Sequence, residues 1–130
     1  MKAPIQRVAT ARAPAPAGHY VQATAWGDLV FVSGQLPLRP DGTHMADATV
    51  EAQIRRALAN LLAILAEAGS CPDHVLRVTA YLVGVEHWLV FDQIFAELFG
   101  PARPARAVVP VPQLHHGYLV EVEAIATRAP

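Results

Sequence analysis

The sequence predicts an α+β fold: one sheet of six strands with two helices packed on one of its faces, in a single domain spanning residues 1–130. Three observations predict it. Short runs rich in β-branched and apolar residues, bounded by Gly and Pro, recur along the chain and read as strands. Two longer stretches repeat apolar residues every three or four positions and read as amphipathic helices. The order is strand, strand, strand, helix, strand, helix, strand, strand, and two helices cover only one face of such a sheet.

The elements follow in order. A short strand runs from Ile5 to Ala9, and residues 11–18, with Pro14 and Pro16, form a loop that continues neither a helix nor a central strand. Tyr20 to Trp26 and Leu29 to Gln35 read as two strands joined by a tight turn at Gly27-Asp28. Leu29-Val30-Phe31-Val32 is apolar on both faces, so this strand needs cover on both sides. Arg39-Pro40-Asp41-Gly42 is a turn. Thr49 caps a helix running to about Ala68, with Val50, Ile54, Leu58, Leu61, Leu62 and Leu65 as its apolar stripe. Gly69 stops it and Pro72 follows. His74 to Val83 is a strand. A second helix spans Glu86 to Phe99, with Trp88, Phe91, Phe95 and Leu98 on one face and Gly100-Pro101 at its end. Ala105 to Val111 and Tyr118 to Ala126 are the last two strands. Trp26 and Trp88 read as packing residues.

Composition narrows the function. Hydrophobic residues make up 53% of the chain and charged residues 16%, against about 25% charged in an average domain. So few charges coat a small monomer poorly, and the uncovered sheet face predicts an oligomer whose neighbouring subunits cover it. The net charge is −1, Lys2 is the only lysine and the arginines are scattered, which argues against the clustered basic face of a nucleic-acid binder. No apolar run reaches the roughly 18 residues of a membrane span. The N-terminal segment lacks the apolar core of a secretory signal. A lone Cys71 makes no internal disulfide and fits a reducing compartment. These features predict a soluble cytoplasmic protein. The six histidines lack metal-site spacing; His115-His116 are adjacent, point in different directions and sit in a turn ending at Gly117, so no metal is expected.

The chemistry concentrates in Pro104-Ala105-Arg106-Ala107-Val108-Val109 and in Val120-Glu121-Val122. A charge inside an apolar strand is costly unless paired or used. A planar guanidinium binds a carboxylate through two parallel hydrogen bonds, and a nearby glutamate holds or activates water. The pair reads as a site for a small carboxylic acid. The alternative for Arg106 is an ordinary salt bridge to Glu121, Glu123 or Asp92. For the glutamates, which alternate with apolar residues, the alternative is a solvent-facing or interface position. Of the two Pro-Ala-Arg triplets, only the one ending at Arg106 leads directly into an apolar strand; Arg103 reads as a solvated loop residue.

Several segments, in this order and spacing, carry a family resemblance. They are Gly18-His19-Tyr20-Val21-Gln22-Ala23, Val32-Ser33-Gly34-Gln35-Leu36-Pro37, Gln53 with the helix ending in Glu67-Ala68-Gly69, Pro104-Ala105-Arg106, and Val120 to Ala126. Together they resemble the RidA/YjgF family of small trimeric imine deaminases, also labelled L-PSP endoribonucleases or translation inhibitors. The resemblance implies a chorismate-mutase-like fold with a six-stranded mixed sheet and a homotrimer with three sites in the clefts between subunits. It implies hydrolysis of 2-aminoacrylate-type imines, released by pyridoxal-phosphate enzymes, to 2-oxo acids and ammonia, with no cofactor. By the same resemblance Arg106 clamps the substrate carboxylate and Glu121 positions the attacking water. Tyr20, Ser33 and Gly34 line the cleft, Phe91 and Asp92 form its edge, and the backbone amide of Val108 faces the substrate. Glu123 is structural. No Gly-x-Ser-x-Gly elbow surrounds Ser33, so it is not read as a nucleophile.

The departures bear on substrate choice. Asp92 stands where the family often has asparagine and adds negative charge near an anionic substrate. Val108 replaces a frequent cysteine, Pro110 and Pro112 interrupt the strand after Arg106, and His19 replaces a frequent proline. The competing functions are a non-catalytic 2-oxo-acid binding module and a pathway-specific aminoacrylate or carbamate hydrolase. An RNA partner is disfavoured by the charge.

Overall fold

The computed structural model describes residues 4–130, in which β1 (Gln6–Val8), β2 (Ala23–Trp26) and β3 (Leu29–Gln35) form an antiparallel meander. Trp26 lies opposite Leu29 across a two-residue turn, and Gly27 takes the positive φ of 58° that this tight turn requires. Then come α1 (Val50–Glu67), β4 (Val75–Leu82), α2 (Trp88–Phe99), β5 (Ala105–Pro110) and β6 (Val120–Thr127). The sheet order is β1-β2-β3-β6-β4-β5. Every pair is antiparallel except β4–β5, which makes the sheet mixed. A parallel pair needs a crossover connection, and α2 supplies it.

The sheet has two unlike faces. Along β6, Val120, Val122, Ala124 and Ala126 are buried while Glu121, Glu123, Ile125 and Thr127 are only partly so. Strand periodicity therefore sends the first set toward the helices and the second to the opposite face. On β3, Val30 and Val32 are buried while Phe31 is exposed, so the second face is only partly covered in the single chain.

Helix α1 begins where the Thr49 side chain accepts a hydrogen bond from the Ala52 amide at 3.2 Å. Its buried face holds Ile54, Ala57, Leu58, Leu61, Ile64 and Leu65, together with two polar residues that a hydrophobic periodicity passes over, Gln53 and Asn60. Gln53 Nε2 donates to the carbonyls of Ala46 (3.2 Å) and Ala48 (3.1 Å), and its Oε1 accepts from the Leu119 amide (2.9 Å). Asn60 Nδ2 donates to the carbonyls of Leu36 (3.1 Å) and Leu38 (2.8 Å). Both side chains pin segments that lie outside the regular strands.

Three differences from the sequence reading have physical causes. The strand expected from Tyr20 starts only at Ala23, because Gln22 turns inward to organise the proline-rich loop. Its Nε2 reaches the carbonyls of Thr10, Ala13 and Pro14 at 3.0, 3.3 and 2.9 Å, and its Oε1 accepts from the Thr10 amide at 2.7 Å. Trp26 and Trp88 are not core residues: they are 51% and 44% exposed, and α2 instead buries Phe91, Ile94, Phe95 and Phe99. Pro110 ends β5 without breaking it. The Val111 amide bonds the Leu82 carbonyl at 2.9 Å, so alternation turns the nitrogen of position 110 away from β4, where β5 has no neighbour.

Gln53 is fully buried with all three bonds made. Replacing it with alanine strands two carbonyls and an amide, and urea unfolding should show a loss of about 2–4 kcal/mol.

Candidate functional site

Two clefts are lined by most of the residues singled out from the sequence; Phe91 and Val108 lie behind the second. The first, about 610 Å³, is bounded by the loop from Pro14 to Gly18, Tyr20, Ser33, Gly34, the His115-His116 turn and Glu121. Ser33 Oγ donates to the Val21 carbonyl at 2.6 Å, which engages its proton in structure rather than nucleophilic attack. The Tyr20 hydroxyl accepts from the Ala17 amide at 3.3 Å and keeps its own proton for another acceptor.

Glu121 lies directly against Gly34. A Cβ at position 34 would sit 2.9 Å from Glu121 Oε2 and 3.1 Å from its Cδ, so only glycine lets the carboxylate rest there. Burial raises the Glu121 carboxyl above its ordinary value; nearby His115 opposes the rise and Glu123 adds to it. Glu123 accepts a 2.6 Å hydrogen bond from the Tyr81 hydroxyl, in keeping with a structural role.

The second cleft, about 570 Å³, opens beside Arg106, Asp92, Phe95 and Arg103. Arg106 Nη2 donates to Asp92 Oδ1 at 2.8 Å. Its guanidinium carbon lies 4.8, 5.7 and 5.9 Å from the ring centroids of Phe95, Phe91 and Trp88. Three π-faces hold the fork in place and strip water from part of it. Val108 follows on the same side, partly buried against the core, and Arg103 is exposed at the rim.

A single chain does not bring Arg106 and Glu121 together. Arg106 lies beside buried Val78 in the β4–β5 register and meets α2, so it is on the helix-covered face. Glu121 lies opposite Tyr81, whose neighbours Ala80 and Leu82 are the buried ones, and so belongs to the other face. Tyr20, Ser33, Gly34 and Glu121 share one cleft; Phe91, Asp92, Arg106 and Val108 gather in the other region.

Sequence reasoning passed over His115 and His116, which line the first cleft, and Trp88, which packs on Arg106. The signal for the histidines was the glycine after them. His116 takes a left-handed φ of 61° and Gly117 one of 75°, which turns the chain sharply at the cleft wall. His44 braces this turn, with its ring 4.5 Å from that of His116 and its Nδ1 2.6 Å from the hydroxyl of buried Tyr118. Among the described residues, no helix is long and apolar enough to cross a membrane.

Comparison with known proteins places this geometry in context. The family model Endoribonuclease L-PSP matches residues 10–128. A RutC family protein of Pyrococcus abyssi is 37% identical over 119 residues, covering 92% of this chain and 94% of that protein. The crystal structure of Escherichia coli TdcF with bound serine aligns with a TM-score of 0.89 at 31% identity, covering 95% of this chain and 99% of that one. That of the E. coli YjgF gene product gives 0.87 at 32% identity, with the same coverage.

The raised proton affinity of Glu121 has a measurable sign. The folded state binds a proton there more tightly than the unfolded state, so this contribution to stability is present at low pH and is lost as pH rises through the raised carboxyl. Glu121→Gln should therefore melt higher than wild type at pH 7, and the gap should close below the ordinary carboxylate range.

Proposed function

The chain belongs to the RidA/YjgF/L-PSP family, and from that premise we propose that it hydrolyses 2-imino acids of the 2-aminoacrylate type to 2-oxo acids and ammonia. The observation that carries the reading is Glu121: a carboxylate of raised proton affinity, seated on a glycine, inside a cleft. A group of this kind takes a proton from water as the oxygen attacks the C=N carbon, then delivers it to the nitrogen. As the C–N bond breaks and C=O forms, the remaining hydroxyl proton leaves through the same carboxylate to the departing ammonia. Arg106, held on three aromatic rings, offers the carboxylate clamp.

We further propose a homotrimer whose sites form between subunits, where Arg106 meets Glu121 of the partner subunit. Two observations support this: the two residues occupy opposite faces of one sheet, and the second sheet face leaves Phe31 and Val109 exposed. The small-carboxylate binding module is the rival reading. It gains weight from serine bound to the E. coli relative, and only turnover separates the two.

Two experiments test these readings. Imines generated by an amino-acid oxidase are trapped with semicarbazide; wild type should divert them to 2-oxo acid, and Arg106→Ala should lose about a hundredfold of that rate or more. Binding without diversion would select the module instead. Mixing inactive Arg106→Ala and Glu121→Gln chains in one trimer should restore about a quarter of the sites if each draws on two subunits. No recovery after verified mixing would place both groups in one subunit.

A further inference from the structure

The Arg106–Asp92 pair leaves half of each partner unused. Asp92 engages Arg106 through Oδ1 alone, and Arg106 answers through Nη2 alone. Among the described residues, Asp92 Oδ2 and the remaining guanidinium donors have no protein partner. The side chains are 41% and 19% exposed, and both line the same cleft. An ion pair serving stability alone contributes little at such exposure. It also would not need three aromatic rings to fix the cation, yet Phe95, Phe91 and Trp88 do so here.

We propose that Asp92 and Arg106 form one dipolar recognition element, in which the free donors of Arg106 take the ligand's carboxylate and Asp92 Oδ2 takes a protonated nitrogen on the adjacent carbon. The inference rests on the reading of Arg106 as the carboxylate clamp. Donor and acceptor stand side by side in the pair, as carboxylate and nitrogen do on neighbouring carbons of a 2-iminium or 2-ammonium acid. A 2-oxo acid presents only a carbonyl oxygen to Asp92, and two acceptors facing each other repel. Asp92 is thereby a specificity-determining residue: it favours the nitrogen-bearing substrate and disfavours the 2-oxo product. Arg103 at the rim leaves the cleft with a net positive charge, so the ligand carboxylate is not repelled despite Asp92.

The test uses two stable probes of one carbon skeleton, L-alanine and pyruvate, titrated calorimetrically into wild type, Asp92→Asn and Arg106→Ala. Wild type should prefer alanine. Asp92→Asn should bind alanine about tenfold more weakly, from the lost charge-assisted bond, and pyruvate more tightly. Arg106→Ala should lose both. An alanine-to-pyruvate ratio unchanged in Asp92→Asn overturns the inference, as does tightening of both ligands in step, which would make Asp92 a mere competitor for the arginine. If Arg106→Ala binds both probes as wild type does, or wild type binds neither, the carboxylate-clamp reading falls and the inference with it. Equal melting temperatures for wild type and Asp92→Asn assign the changes to the site, not the fold.

Discussion

Strand β6 runs through the middle of the sheet between β3 and β4, so its strict two-residue alternation sets what each face can be. Four small or branched apolar residues go to the helices, where α1 packs on them. The residues between them must face the other way. Glu121 therefore could not share the helix side with Arg106 in any arrangement that kept this core, since a one-residue slip would bury both glutamates and expose the valines. The separation of the two charges follows from the packing of the core, and it is this separation that the proposed pairing of subunits would bridge.

The cleft walls are built by a different device. Ordered loops need somewhere to place their carbonyls, and three buried amide side chains provide it: Gln22 for the proline-rich loop, Gln53 for the approach to α1 and the start of β6, Asn60 for the segment after β3. Each is buried with its bonds made, so polar groups that would otherwise destabilise the core fix the loops that border Tyr20, Ser33 and Glu121. Gly34 completes the construction by having no side chain to displace the carboxylate.

Much of this could be read in the sequence, because it rests on local periodicity. Both helices, the six strands and the hairpin at Gly27 follow from apolar spacing and turn chemistry, and Asp92 is one of the three carboxylates the sequence offers Arg106 for an ordinary salt bridge. What escaped was set by contacts distant in sequence. Gln53 and Asn60 look like surface residues until the loops they hold are known. Gln22 looks like part of a strand, yet it answers to Thr10 and Pro14. Trp88 sits in an apolar helical stripe, but the group it covers arrives from β5, eighteen residues later. The placing of the candidate residues on two faces was hidden for a related reason: alternation fixes the face of each strand residue relative to its neighbours, while only the sheet order tells which face two distant strands share.

The prolines after Arg106 have a consequence beyond the cleft. β5 is one edge of the sheet, and at Pro110 the outward position has no N–H to offer. β1, the opposite edge, is three residues long. Both borders are thus poor templates for another strand, a protection against runaway edge-to-edge growth. An association of copies of this chain is directed away from ribbon-like extension of one sheet and toward closed assemblies made through side chains, which are finite in size.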